Sequence, residues 1–354
     1  MTSSIQLSER RARAVWFTAP RRAELREEHL ASPGETEILV RGLVSLVSSG
    51  TEMNVYRGES ATPSELDMPT TAGTFPFPIK FAYQIVGRVE TAGPRSGFSA
   101  GDTVFVYHPH QDWFVISTGS GPEGGILDGA SLVFPVPGGL DLERAAFANL
   151  FCVAYNGLLD VPVRVGDVVV VSGLGVIGSF AASLARLTAG RLILVDPLPE
   201  RRERAAWIGA DAVVTPSDAP QAIADASAGR GADVYFEVSG ATTALQGAMD
   251  ATGQEGTIVV LSYYGGRIAS LRLSPEFHLR RQRIVSSMVG MIGSGLQPRW
   301  DARRRMAVAM ERLQTMDISA LITHRIPFAR APEAYELIDT RPNESLGVLL
   351  EYGS

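Results

Sequence analysis

Cysteine is nearly missing from this chain: among 354 residues there is one, Cys152. That count excludes an intramolecular disulfide and any zinc site that draws two or more thiolates from one chain. A strong charge of either sign is missing too, with 32 Lys and Arg against 38 Asp and Glu, a formal net charge of -6. Such a balance leaves no electrostatic footprint for nucleic acid, and no nucleic-acid partner is expected. Long apolar runs are absent as well. Runs such as 168–171 and 258–261 are strand-sized, far below the ~20 residues that span a bilayer. No membrane partner is expected. Segment 1–16 lacks the unbroken apolar core of a signal peptide, so the expected location is cytoplasmic. What is present is an ordinary globular composition, 45% hydrophobic and 20% charged. At roughly 150 residues per domain, the length suggests two domains or one large one.

The two halves differ in rhythm. In the first, short apolar segments at 37–44, 85–91 and 102–107 lie between Gly, Pro and Ser clusters, as strands separated by turns do. From about Val163 onward, apolar strands at 168–172, 192–196, 212–215, 233–238 and 257–262 alternate with helical stretches at 177–188, 198–209, 219–227 and 242–252. Alternation of this kind predicts βαβ units and a parallel sheet. The C-terminal part reads as helices at 303–316 and 331–340 with a final strand at 347–352, which is expected to return to the N-terminal β-rich part. The expected fold class is therefore α/β.

The strongest local signal is the run Asp167-Val-Val-Val-Val-Ser-Gly-Leu-Gly-Val-Ile-Gly178. Four valines predict a buried strand, and Gly173, Gly175 and Gly178 form the Gly-x-Gly-x-x-Gly turn into the next helix. The first glycine permits the tight turn, the second lets backbone approach a pyrophosphate, and the third allows helix and strand to pack closely. Backbone amides at Val176 and Ile177, together with the positive end of the helix dipole, are suited to the phosphates. Asp196 follows 18 residues after the last glycine. A carboxylate there is suited to the adenosine ribose hydroxyls and repels a 2′-phosphate, which favours NAD. Asp196 also reads as an ordinary turn aspartate before proline. Arg201 keeps NADP possible, since a guanidinium pairs with a 2′-phosphate. On the same unit Ser239, and Leu261, Ser262 and Tyr263, fall at the ends of later strands, where a ligand crevice opens in parallel sheets.

With these residues in hand, the chain resembles the medium-chain dehydrogenase/reductase superfamily over essentially its whole length. The resemblance is carried by the 48–58 segment Ser-Ser-Gly-Thr-Glu-Met-Asn-Val-Tyr-Arg-Gly, by Gly87-Arg-Val-Glu, Gly101-Asp-Thr-Val, the glycine turn and the 233–240 segment Asp-Val-Tyr-Phe-Glu-Val-Ser-Gly. Segments 108–112 and 277–287 resemble the branch containing bacteriochlorophyllide hydroxyethyl dehydrogenase and related bacterial alcohol dehydrogenase homologues. The resemblance implies a Rossmann NAD(P)-binding domain over 156–290 and a discontinuous β-rich GroES-like catalytic domain formed by 1–155 and 291–354. It also implies a homodimer, joined through an edge strand near 271–273, and a nicotinamide carboxamide near 261–263.

At the positions where zinc-dependent members of that superfamily carry ligands, this chain has Ser49, Tyr83, Gln84 and Asn149. These are poor ligands beside thiolate, imidazole and carboxylate, and no zinc is expected. Cys152 misses the ligand position and reads as a small buried hydrophobe. Without a Lewis acid, hydroxyl, amide and imidazole donors must stabilise the oxygen that gains charge. Tyr83 is the leading donor, unless it is a core tyrosine. Thr51 matches the hydroxyl that begins the proton relay in relatives, or is a turn threonine. Glu52 places a charge nearby or caps the following turn, and Asn54 stands where some relatives carry a relay histidine. His108 and His110 offer imidazoles near neutral pH, or lie in a surface loop. Asn149 bonds substrate or nicotinamide, or caps the next helix. The leading expectation is a metal-free NAD(P)-dependent oxidoreductase acting on a secondary alcohol or carbonyl of a small molecule. The alternatives are an enoyl or imine reductase and a nucleotide-binding protein without turnover.

Overall fold

Valine decides the centre of the cofactor-type unit. Strand Val168–Ser172 is buried along its whole length, as a strand covered on both faces of a parallel sheet must be. It pairs in parallel with Arg191–Val195 on one side and Ala232–Glu237 on the other. Ala212–Val214 extends the sheet beyond the first neighbour, and Thr252–Val260 and then Arg283–Ser286 extend it beyond the second. The six strands therefore run in the doubly wound order 3-2-1-4-5-6 when numbered along the chain. Their core includes Val170, Ile193, Ile223, Tyr235, Met249 and Ile258.

This computed structural model describes residues 11–60, 70–119 and 131–353. It divides into two units, one comprising 149–301 with 319–321, the other comprising the N-terminal 148 residues with 302–318 and 322–354.

The other unit is β-rich. A seven-stranded sheet is centred on Glu37–Val47, which pairs antiparallel with Ile85–Ala92, Trp113–Ser117 and the C-terminal Gly347–Glu351. A second sheet of four strands is built on Arg11–Ala19 and Arg22–His29. Helices Thr51–Arg57, Leu142–Ala146, Ala302–Thr315 and Ala331–Thr340 belong to this unit. The architecture is thus a mixed α/β fold, a parallel Rossmann-like sheet and a separate β-rich unit. No helix among the described residues is long and apolar enough to cross a membrane.

One expectation needs correction. The six-stranded sheet has its edges at Ala212–Val214 and Arg283–Ser286, not at a strand near 271–273, where the backbone forms no strand. Arg272 there is tied by ion pairs to Asp250 and Glu276 instead.

Candidate active site

The glycine turn is shaped by the lack of side chains. Gly173 has φ +96° and any Cβ there would come within 2.6 Å of the Ser239 backbone. A Cβ on Gly178 would lie 1.8 Å from the Gly173 carbonyl oxygen, so helix and turn touch backbone to backbone. Gly175 behaves differently, since a Cβ on it would meet nothing within 4 Å. It caps helix Val176–Ala185 in an extended conformation, with no side chain bonding the helix amides. The amides of Val176 and Ile177 thus lie in the first turn of a ten-residue helix whose entrance is bare. This arrangement fits a pyrophosphate.

Asp196 is buried beside the turn. Its Oδ2 accepts from the Leu174 amide at 2.7 Å and its Oδ1 from the Leu198 amide at 2.9 Å. The acid therefore holds the glycine turn from behind, a role that the ribose reading had not included. Each oxygen keeps a second lone pair for a ribose hydroxyl. Arg201 Nη1 stands 3.9 Å from Asp196 Oδ2. On the far side of the turn, Ser239 and Tyr264 both bond the Glu237 carboxylate, and Gly240 N donates to Ser262 Oγ at 2.9 Å. Leu261 N donates to the Glu237 carbonyl at 3.0 Å, while Tyr263 comes two residues later in the same loop.

In the β-rich unit, the structure brings together Tyr83, Thr51 and Glu52 and adds Ser48. The Tyr83 phenol donates to Ser48 Oγ at 2.6 Å and also hydrogen-bonds Thr51. Burial pushes this phenol above its ordinary range, and the nearby Glu52 charge adds to the effect. Glu52 is fully buried in helix Thr51–Arg57. Its Oε2 accepts from Ser48 N at 3.0 Å, and its Oε1 accepts from Tyr335 OH at 2.5 Å and meets His110 Nε2 at 3.1 Å. His110 Nδ1 is buried with no hydrogen-bond partner among the described residues.

His108 and His110 are both buried rather than on a surface loop. His108 does not share His110's partner. It donates from Nδ1 to its neighbour's carbonyl, Pro109 O, at 2.8 Å and stacks on Phe114 with ring centroids 3.9 Å apart. Burial, with Lys80 nearby, pushes its imidazole down to about 3, so it is a neutral ring at neutral pH.

Gln84 is buried and spends its amide on Leu46 O at 2.8 Å. Ser49 is exposed, and Asn54 is buried within helix Thr51–Arg57. Asn149 is buried in the cofactor-type unit as the second residue of helix Ala148–Asp160, so it does not precede that helix as a cap. Cys152 is buried in the same helix. Sequence reading missed Ser48 and Tyr335. Ser48 adjoins the singled-out Ser49, whereas Tyr335 lies 283 residues from Glu52 and carries no local signal.

A zinc ion does not fit this donor set. The cluster offers one carboxylate and one imidazole already bonded to each other, with hydroxyls and an amide for the remainder. Among the described residues, no group of three or more His, Cys, Asp or Glu is placed to hold a metal.

The parallel sheet and its glycine turn form a site suited to a dinucleotide. Residues 176–306 match the sequence profile of the family described as zinc-binding dehydrogenase. D-guloside 3-dehydrogenase of Escherichia coli strain K12 is 28% identical over 349 residues, covering 93% of this chain and 97% of its own. L-threonine 3-dehydrogenase of Pyrococcus abyssi is 25% identical over 340 residues, covering 89% and 92%. In fold, 2R,3R-butanediol dehydrogenase of Bacillus subtilis superposes with a TM-score of 0.76 at 17% identity, over 96% of this chain and 99% of its own. A Sinorhizobium meliloti 1021 protein, described as a candidate zinc-binding dehydrogenase and solved bound to NADP, superposes with the same TM-score, 0.76, at 20% identity over 97% and 100%. The chain is thus similar to zinc-binding dehydrogenases over 176–306 and to sugar and amino-acid dehydrogenases over most of its length.

Proposed function

We propose that the protein is an NAD(P)-dependent oxidoreductase that interconverts a secondary alcohol and a carbonyl on a small molecule without zinc. The observation that carries this reading is the hydroxyl cluster in which Tyr83, at a position matched by resemblance to a zinc ligand, bonds Ser48 and Thr51, in a chain that keeps the bare glycine turn. Its dehydrogenase relatives support the class of reaction.

The nicotinamide, when bound, supplies or accepts the hydride. The chain's own residues do the rest. Gly173, Gly175, Val176, Ile177 and Gly178 bind the pyrophosphate, and Asp196 holds that turn and favours NAD over NADP. Tyr83 donates to Ser48 Oγ, which leaves the Ser48 hydroxyl hydrogen to meet a substrate oxygen as charge develops on it. Glu52 fixes Ser48 through its amide, and His110 and Tyr335 fix Glu52. Donors held in advance cost no reorganisation at the moment of reaction, which is what a metal otherwise contributes.

Reduction of a polarised C=C or C=N bond is the second reading, favoured by the same lack of zinc-type donors. One assay separates the readings: NADH and NADPH formation across secondary alcohols at alkaline pH, alongside an enone and imine panel. Alcohol oxidation with NAD preferred supports the proposal. Reduction of the enone at C=C with its carbonyl retained selects the second reading, and cofactor binding without turnover selects a non-catalytic protein. We also propose that two copies pair through the edge strand Arg283–Ser286, where Ile284 is exposed and is flanked in sequence by exposed Leu279 and Met288.

A further inference from the structure

The six-stranded sheet contains a buried acid to which the proposed reaction gives no role. Glu237 ends strand Ala232–Glu237 and is fully buried. An unpaired buried carboxylate is costly, so its partners are informative. Its Oε1 accepts from Ser239 N at 2.8 Å and from Ser239 Oγ, and its Oε2 accepts from Tyr264 OH. All three partners are donors. The two segments so joined are also stitched by Gly240 N to Ser262 Oγ, 2.9 Å, and by Leu261 N to Glu237 O, 3.0 Å.

Topology says what these segments are for. In a doubly wound sheet the dinucleotide lies across the carboxyl ends of the strands, with its pyrophosphate at the glycine turn after the first strand. Asp196, after the second strand, marks the adenosine side. The opposite side is formed by the segments 238–241 and 261–264, which leave the carboxyl ends of the fourth and fifth strands. Ser239 also packs against the turn itself, since a Cβ on Gly173 would come within 2.6 Å of its backbone. A single side chain thus links the glycine turn's neighbour to the loop after the fifth strand.

We propose that Glu237 is a positioning residue that ties 238–241 to 261–264 and so shapes the nicotinamide half of the cofactor site, leaving the adenosine half to Asp196. This rests on the dinucleotide-binding reading. Calorimetric titration of the full chain with NADH, NAD+ and ADP tests it, using wild type, Glu237→Gln and Tyr264→Phe. Both variants should bind NADH and NAD+ on the order of tenfold more weakly, the scale of one lost charge-assisted hydrogen bond, with ADP affinity unchanged. Unchanged NADH affinity in variants that fold overturns the proposal, and so does an equal loss for ADP, which is what general loosening of the unit gives. If Glu237→Gln does not fold, Tyr264→Phe decides alone, because it leaves both Ser239 contacts in place. A wild-type chain that binds neither NADH nor ADP overturns the dinucleotide reading itself, a result distinct from any variant effect.

Discussion

Tyr83 keeps its proton through neutral and mildly alkaline pH, because burial raises its phenol and Glu52 stands close. It therefore acts as a donor and not as a base. Tyr83→Phe should lower turnover at least tenfold, toward the range of about 10²–10³ that loss of a preorganised donor costs, while NADH affinity holds. Unchanged turnover would remove Tyr83 from the chemistry. His108 has the opposite character. The unfolded chain protonates it below its ordinary value of 6.5, whereas the folded chain resists until about 3. Its effect is thus a stability loss as pH falls from 6.5 toward 3, at up to about 1.4 kcal/mol per pH unit. His108→Phe, which preserves a ring against Phe114, should flatten the fall in melting temperature between pH 7 and 5. An equally steep fall in the variant would contradict that assignment. The Tyr83–Thr51–Glu52 grouping was legible because the family resemblance places Tyr83 and Thr51 at neighbouring positions of one site, and Glu52 follows Thr51. Burial of the histidines was not, since it depends on side-chain packing against Phe114 and on Glu52 and Tyr335 arriving from distant parts of the chain.

Elements with a simple physical signature were read closely. Strand Val168–Ser172 and helices Ala219–Ser227 and Ala331–Thr340 match their expected bounds, because an all-apolar run and amphipathic helices announce themselves. Strand Arg22–His29 was missed: its sequence RAELREEH has no apolar residue beyond Ala23 and Leu25, and its pairing with Arg11–Ala19 makes it a strand. Helix Thr51–Arg57 was missed for another reason. It has seven residues and starts after Gly50 with no side-chain cap, so no start signal is present. The glycine turn is where sequence and packing agree most tightly. Gly178→Ala must displace the Gly173 carbonyl, since its Cβ would sit 1.8 Å from that oxygen. A cost of roughly 1–3 kcal/mol is expected from such overpacking, with cofactor binding weakened alongside. A melting temperature and NADH affinity equal to wild type would show that the turn yields more easily than its contacts imply.

Across the whole chain, discontinuity ties the ends together: Gly347–Glu351 pairs with Glu37–Val47, some three hundred residues earlier in the sequence. A final strand after a helix suggested that return, yet its partner strand is a long-range fact that no local pattern contains. The edge strand illustrates the same limit, since resemblance pointed to 271–273 and the sheet ends at Arg283–Ser286. If that edge pairs with a second copy, sedimentation should show a dimer that Ile284→Lys weakens, and a wild-type monomer at all concentrations would rule it out. The central claim, however, concerns metal. Residues 176–306 match a family described as zinc-binding dehydrogenase, while the chain's own donors are hydroxyls, an amide and one carboxylate–imidazole pair. The direct test is to measure zinc content and alcohol-dependent NADH formation on one preparation, before and after exhaustive chelation. Full turnover with substoichiometric zinc, unchanged by chelation, is the predicted result; turnover that disappears on chelation and returns with one zinc per chain would contradict it.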